Sequence, residues 1–242
     1  MQRELEIMDK YIFDVDGTLT PSRGLIDLEF KMFFNTFCLT HDVYLVTGSD
    51  KPKTVEQISE ATYNLAKRVY NCSGCDVYEA GTNVHRSDWT LPEDARDWLN
   101  IELDKSKFVL RTGNHIEERP GMVNFSIVGR NATLGERKLY VEWDEHNLER
   151  KHIAAQFNFR FPKLKAVIGG ETGMDIFPKG YDKSQIIRDF DPTDTLHFFG
   201  DAMGPTGNDY PLKKVIIDND LGICYNVNSW KDTRELLNEK KY

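Results

Sequence analysis

The sequence predicts a discontinuous α/β core interrupted by a smaller α+β domain. Apolar runs closed by polar turns alternate with amphipathic stripes up to residue 76. From about Val77 to Lys179 the pattern changes to short alternating runs and glycine-containing turns. After Tyr181 the α/β alternation returns. Strands alternating with helices imply parallel pairing and right-handed crossovers. The expected division is a core of 1–80 and 181–242 around an insert of 81–180.

Tyr11-Ile12-Phe13 reads as a short buried strand, stopped by Asp14-Val15-Asp16-Gly17-Thr18. Ile26, Phe30, Phe33, Phe34 and Phe37 then recur as the stripe of an amphipathic helix. Val43-Tyr44-Leu45-Val46 is a second strand, closed by Thr47-Gly48-Ser49-Asp50. Thr54-Val55-Glu56-Gln57 has the form of a capping box and predicts a helix continuing through Ile58, Thr62 and Leu65. In the insert, Val123, Phe125 and Ile127 alternate with their neighbours, as do Leu164, Ala166 and Ile168, which predicts an antiparallel sheet. Helices are expected around 98–101 and 144–157. Ile186, Ile187 and Phe190 predict a helix, Leu196-His197-Phe198-Phe199 a buried strand, and Asp201 the loop after it. Gly81 and Gly180 suggest hinges at 78–83 and 179–182.

At 40% apolar and 29% charged, the 242-residue chain has enough apolar mass for a packed core and is not disordered. Its net charge, 31 − 39 = −8, argues against a general nucleic-acid coat but not against an anionic small molecule held by a few arginines. No run of about 18 apolar residues spans a membrane. The first ten residues lack the apolar stretch of a secretory leader, which predicts a cytoplasmic protein whose three N-x-S/T sequons stay unmodified. Cys38, Cys72, Cys75 and Cys224 are too scattered for a disulfide framework. Cys72-Ser73-Gly74-Cys75 reads as structural, since no second pair or histidine spacing completes a zinc site.

In an open parallel sheet, ligands bind at the carboxyl ends of strands. Three such ends here are polar: the segments at Asp14, Thr47 and Asp201. Carboxylates spaced i, i+2 can divide the work of phosphoryl transfer, one attacking phosphorus and the other moving the proton. Asp201 can complete a Mg²⁺ site of oxygen ligands, and Lys183 can add a point charge against phosphate. An isolated Asp-x-Asp is usually a solvated turn. The full phrase Phe13-Asp14-Val15-Asp16-Gly17-Thr18-Leu19-Thr20, joined with Phe198-Phe199-Gly200-Asp201 and Gly207-Asn208-Asp209, resembles the haloacid dehalogenase superfamily.

The resemblance goes further, to the eukaryotic-type phosphomannomutase family. It rests on residues 14–23, Val46-Thr47-Gly48-Ser49-Asp50-Lys51, Arg119-Pro120-Gly121-Met122-Val123-Asn124, Ile127-Val128-Gly129-Arg130, Gly135-Glu136-Arg137, Gly169-Gly170 through Asp175-Ile176-Phe177-Pro178, and Tyr181-Asp182-Lys183. It implies a Rossmann-like core with an inserted α+β cap. It implies Asp14 as the nucleophile, Asp16 as general acid/base, Lys183 as phosphate partner, and Thr47 or Ser49 as the hydroxyl on the transferring group. It implies a Mg²⁺ site of Asp14, the Asp16 carbonyl and Asp201, with Asp209 in the adjoining acidic loop. It implies Arg23, Arg119, Arg130 and Arg137 as the holders of the second phosphate, and the region of Gly173 and Asp175 as the sugar contact. The implied activity interconverts mannose 6-phosphate and mannose 1-phosphate, with their glucose analogues as further candidate substrates and a hexose 1,6-bisphosphate activator, in a cytoplasmic homodimer formed through the cap and supplying GDP-mannose biosynthesis. Neither nucleic acid nor membrane is an expected partner.

Two departures stand out. The family has serine where this chain has Gly173, and residues 210–220 do not follow the family, which puts a second cation site there in question. The competing readings are a sugar-phosphate phosphatase on the same core and a non-catalytic binding protein.

Overall fold

The computed structural model describes residues 8–22, 24–169, 171–205 and 207–239. The chain divides into two compact units, Met1–Arg86 with Gly180–Tyr242, and Ser87–Lys179. The first begins with β1 (Asp9–Phe13), α1 (Leu28–Thr40), β2 (Asp42–Val46), α2 (Lys51–Ile58), α3 (Glu60–Leu65), β3 (Arg68–Asn71), β4 (Asp76–Glu79) and β5 (Thr82–Arg86). The second contains α4 (Glu93–Lys105), β6 (Ile116–Arg119), β7 (Met122–Phe125), α5 (Leu134–Asn147), α6 (Glu149–Arg160), β8 (Leu164–Gly169) and β9 (Gly173–Pro178). The chain then returns through a 3-10 segment, Lys183–Asp189, to β10 (Thr195–Gly200), α7 (Tyr210–Asp218), β11 (Gly222–Asn226) and α8 (Trp230–Glu239).

The larger sheet has the order β11-β10-β1-β2-β3-β4-β5. The strands from β11 to β3 are parallel, and β4 and β5 add an antiparallel edge. Tyr11, Phe13, Leu45 and Phe199 pack on one face against Phe30, Phe34 and Phe37 of α1, Ile58 of α2, Tyr63 of α3 and Leu237 of α8. Ile12, Val46, Leu196 and Phe198 fill the other face with Ile186, Leu212 and Ile216. Burial on both faces is why these strands read as continuous apolar runs. Each fully buried large apolar side chain contributes roughly 1.5–3 kcal/mol.

Four local expectations need correction. The cap of α2 is Asp50, whose side chain accepts from the Lys53 backbone N–H at 3.1 Å. Thr54 lies within the helix and donates to the Asp50 carbonyl at 2.9 Å, so its T-x-x-Q pattern is not a capping box. Ser59, at φ 73, separates α2 from α3, so the expected single helix is two. Residues 78–83 also do not join the units: they form the β4–β5 hairpin of the larger sheet, with Gly81 at its turn, and the division falls after Arg86. The expected helix at 186–190 is the 3-10 segment.

In the second unit, β6-β7-β9-β8 form an antiparallel sheet. Val123, Phe125, Ala166, Met174 and Ile176 pack against Leu99, Tyr140, Ile153 and Phe157 from α4, α5 and α6. The helix expected at 144–157 is a pair, α5 and α6, separated at Leu148 in the left-handed region. A capping box between Thr133 and Glu136 starts α5. Alternate residues of β6, β7 and β9, namely Glu117, Arg119, Asn124 and Asp175, lie on the face opposite the helices, in register across the strands. Among the described residues, no helix is long and apolar enough to cross a membrane.

Candidate active site

The parallel strands place their carboxyl-end loops side by side, because Phe13 pairs with both Phe199 and Leu45. The Asp14 N–H donates to the Phe199 carbonyl at 2.9 Å, which extends the ladder one residue into the loop. The Val15 carbonyl then accepts from the N–H groups of Thr18, Leu19 and Thr20, folding the loop into a tight turn. Gly17 adopts φ 77 there, and a Cβ on it would lie 2.2 Å from Asp201 Oδ2. Only glycine satisfies both the left-handed backbone and that close approach.

Four charged groups meet at this point. Lys183 is fully buried and donates to Asp14 Oδ1 at 2.5 Å and to Asp209 Oδ1 at 2.7 Å. Asp209 Oδ2 accepts from the Ala202 N–H at 3.0 Å, and Thr18 Oγ1 donates to Asp14 Oδ2 at 3.4 Å. Asp14, Asp201 and Asp209 each offer an oxygen within 4.8 Å of the others. Three carboxylates and one ammonium leave a net charge of −2 (−3 + 1) if all are ionised. Burial pushes Asp14 up to about 8, against the pull of Lys183 and with the repulsion of Asp209 behind it. Burial and Asp209 also raise Asp201. Burial alone would lower Lys183, but Asp14 and Asp209 together hold it above its ordinary value. Hard oxygen donors carrying unbalanced negative charge suit a divalent cation such as Mg²⁺.

The other strand-end residues surround this cluster. Thr47 is buried at the end of β2, and its Oγ1 accepts from the Ser49 N–H at 3.0 Å. Asp16 does not share in the close carboxylate group; its Oδ1 accepts from Gln57 Nε2 at 2.8 Å. The same nitrogen lies 3.3 Å from Thr20 Oγ1. Gln57 is hidden in the sequence, because its only signal there is the T-x-x-Q pattern that mimics a cap.

In the second unit, Glu117 gathers two of the predicted arginines. Arg119 Nε donates to Glu117 Oε1 at 2.8 Å, and Arg130 Nε to Glu117 Oε2 at 2.5 Å. Burial would raise Glu117, yet Arg130 and Arg119 together hold it below the usual glutamate range. Arg137 pairs with Glu171, at 3.7 Å. Asn124 Nδ2 donates to Asp175 Oδ1 at 2.6 Å beside Gly173. Glu117 carries no sequence signal of its own, being one acidic residue in a polar strand. Arg23 lies outside the described residues.

A model of the eukaryotic phosphomannomutase family matches residues 30–241. The chain is 32% identical to a phosphomannomutase of Drosophila melanogaster, over 94% of this chain and 93% of that protein. It is 30% identical to one of Dendrobium officinale, over 93% and 90%. Among solved structures it resembles a haloacid dehalogenase-like hydrolase from Bacteroides thetaiotaomicron, with a TM-score of 0.61, 12% identity and coverage of 98% and 100%. It also resembles a trehalose-6-phosphate phosphatase related protein, with a TM-score of 0.54, 15% identity and coverage of 95% and 96%. At such identities these two likenesses establish the fold alone.

Proposed function

This chain belongs to the eukaryotic phosphomannomutase family, and from that premise we propose that it interconverts mannose 6-phosphate and mannose 1-phosphate by phosphoryl transfer through Asp14. The observation that carries the reading is the buried Asp14–Lys183–Asp209 cluster at the strand ends.

Asp14 attacks the phosphorus of a hexose 1,6-bisphosphate, forming an acyl phosphate as the bond to the sugar oxygen breaks. Asp16 delivers a proton to that oxygen, then takes one back from the hydroxyl that receives the phosphoryl group in the reverse step. The sugar thus exchanges which oxygen is phosphorylated, and the bisphosphate is regenerated. Lys183 balances the phosphoryl charge beside Asp14, and Thr47 or Ser49 orients its oxygens. Asp14, Asp201 and the Asp16 carbonyl, with Asp209 beside them, would hold Mg²⁺, which would supply charge neutralisation for the transferring group. Arg119, Arg130 and Arg137 bind the phosphate that is not transferred, because guanidinium forks match phosphate oxygens in pairs. Asp175 binds sugar hydroxyls. A cytoplasmic homodimer supplying GDP-mannose synthesis completes the proposal and rests on the family alone.

The test is ³¹P NMR of the protein with mannose 1-phosphate, Mg²⁺ and catalytic glucose 1,6-bisphosphate. Growth of the 6-phosphate signal ahead of inorganic phosphate is the expected result, abolished in Asp14→Asn. Release of inorganic phosphate alone would make the protein a phosphatase on this fold. No change in either signal would remove the catalytic reading.

A further inference from the structure

After β3 the chain turns through Cys72, Ser73 and Gly74, all in the left-handed region at φ 48, 57 and 99. Residues other than glycine seldom adopt that region, and where they do the surroundings hold them there. The holders here belong to the candidate active site. The Cys72 N–H donates to the Ser49 carbonyl at 2.9 Å, and the Ser73 N–H to the Thr47 carbonyl at 2.8 Å. On its other side the turn meets the 3-10 segment that begins with Lys183. Gln185 Nε2 donates to the Ser73 carbonyl at 2.8 Å and lies 3.4 Å from Cys75 Sγ. A Cβ on Gly74 would lie 3.0 Å from Gln185 Cγ, so glycine there leaves room for the glutamine stem. The Gln185 N–H also donates to the Asp182 carbonyl at 3.1 Å, which fixes it to the start of its own segment.

Ser73 is thus joined through its N–H to the strand end that carries Thr47, and through its carbonyl to the segment that carries Lys183. The Lys183 ammonium sits at the end of a flexible stem, so its place beside Asp14 depends on where the backbone of that segment is held. We propose that Gln185 is a positioning residue, which ties the Lys183 segment to the left-handed turn and so sets the ammonium against the Thr47–Ser49 loop across the transferring phosphoryl group. The proposal rests on the reading of the strand-end cluster as the place of phosphoryl transfer. It also gives the Cys72-Ser73-Gly74-Cys75 sequence a use. The Cys75 N–H donates to the Cys72 carbonyl at 3.1 Å, which closes the turn on which both sides of the site are fastened.

The experiment compares the wild-type protein with Gln185→Met, which keeps the length of the stem and removes the donor, with Mg²⁺ present throughout. It reads kcat and KM for isomerisation of mannose 1-phosphate, inhibition of p-nitrophenyl phosphate hydrolysis by orthovanadate, and the urea midpoint. Vanadate mimics the phosphoryl group in transfer, so it reports on Lys183 and Thr47 without the sugar. Gln185→Met should lower kcat and weaken vanadate inhibition by about tenfold each, the size of one hydrogen bond, while KM stays within about twofold. Gln185→Asn, which keeps the amide on a stem one methylene too short, should behave the same way. Wild-type vanadate inhibition with a lowered urea midpoint would make Gln185 purely structural and overturn the proposal. A rise in KM alone would also overturn it. If Gln185→Met does not fold, Gln185→Asn decides by the same comparison. Should the wild-type protein isomerise no hexose phosphate yet hydrolyse p-nitrophenyl phosphate, the mutase reading fails and the vanadate comparison still tests Gln185. Neither reaction in the wild-type protein would remove both.

Discussion

Gln57 shows how one neutral side chain can fix a carboxylate at the strand ends. Its amide nitrogen reaches Asp16 Oδ1 and Thr20 Oγ1, its backbone carbonyl accepts from the Ile26 N–H at 2.9 Å, and it is 1% exposed. Asp16 is thereby tied to α2 as well as to its own loop. In the proposed mechanism a carboxyl held this way would keep one orientation toward the oxygen it protonates, and well-placed general acids contribute roughly 10²–10⁴-fold. Gln57→Leu is expected to slow isomerisation by about tenfold or more, consistent with part of that contribution. It should slow the first burst of p-nitrophenolate from p-nitrophenyl phosphate far less, because that leaving group departs without a proton. Equal slowing of both would assign Gln57 to packing. The contrast with Asp14, Lys183 and Asp201 is instructive. Those residues were legible because a charged group directly after an apolar strand, or at the start of the returning segment, has few structural reasons to be there. Gln57 and Glu117 were hidden because their roles arise from partners 41 and 13 residues away, which no local pattern reports.

The elements were legible where one periodicity dominates. β1, β2 and β10 are buried on both faces, so their apolar runs are continuous, and α1 carries an unbroken phenylalanine stripe. The misread elements are those whose ends are set by backbone geometry. Ser59 and Leu148 divide helices through positive φ values, which ordinary side chains do not announce. The expected insert, 81–180, takes in β5 but not its partner β4, because alternation alone does not say which sheet a hairpin joins. The strand β6 supports a pH prediction. Glu117 is held below the usual glutamate range by Arg130 and Arg119 despite burial, so its ionised form is favoured in the folded state. That stabilisation is fully present above the ordinary glutamate value and is lost as pH falls through the lowered one. Glu117→Gln should therefore cost roughly 1–2 kcal/mol at pH 7, since hydrogen bonds to charged groups are worth about that. The difference in urea midpoint from wild type should close below about pH 4, near and under the ordinary carboxylate range. A difference independent of pH would show that the ion pairs contribute nothing to folding.

Each unit builds its core from its own residues, two clusters on the faces of the larger sheet and one beneath the smaller. The candidate cation site belongs wholly to the first unit, yet it joins segments far apart in the chain, since Asp14 directly follows β1 and Asp201 and Asp209 flank the loop after β10. Binding there stabilises the folded first unit by mass action, about 2.7 kcal/mol at a hundredfold excess over Kd. Hydrogen exchange should report this as protection slowed by up to about a hundredfold in the slowest amides of β1 and β10, with β7 and β9 of the second unit unchanged. Removal of Mg²⁺ with a chelator should reverse it. The size of the effect should depend on pH in a definite direction. Burial raises Asp14 to about 8, so the metal-free folded state retains a proton that the unfolded chain would have lost. Metal-free stability therefore falls as pH rises from about 4 toward 8, while a cation, which must displace that proton, binds better over the same range. The protection gained on adding Mg²⁺ should grow from pH 6 to pH 8. Protection confined to the second unit would place the cation away from Asp14, and equal slowing in both units would show that the two cores unfold as one.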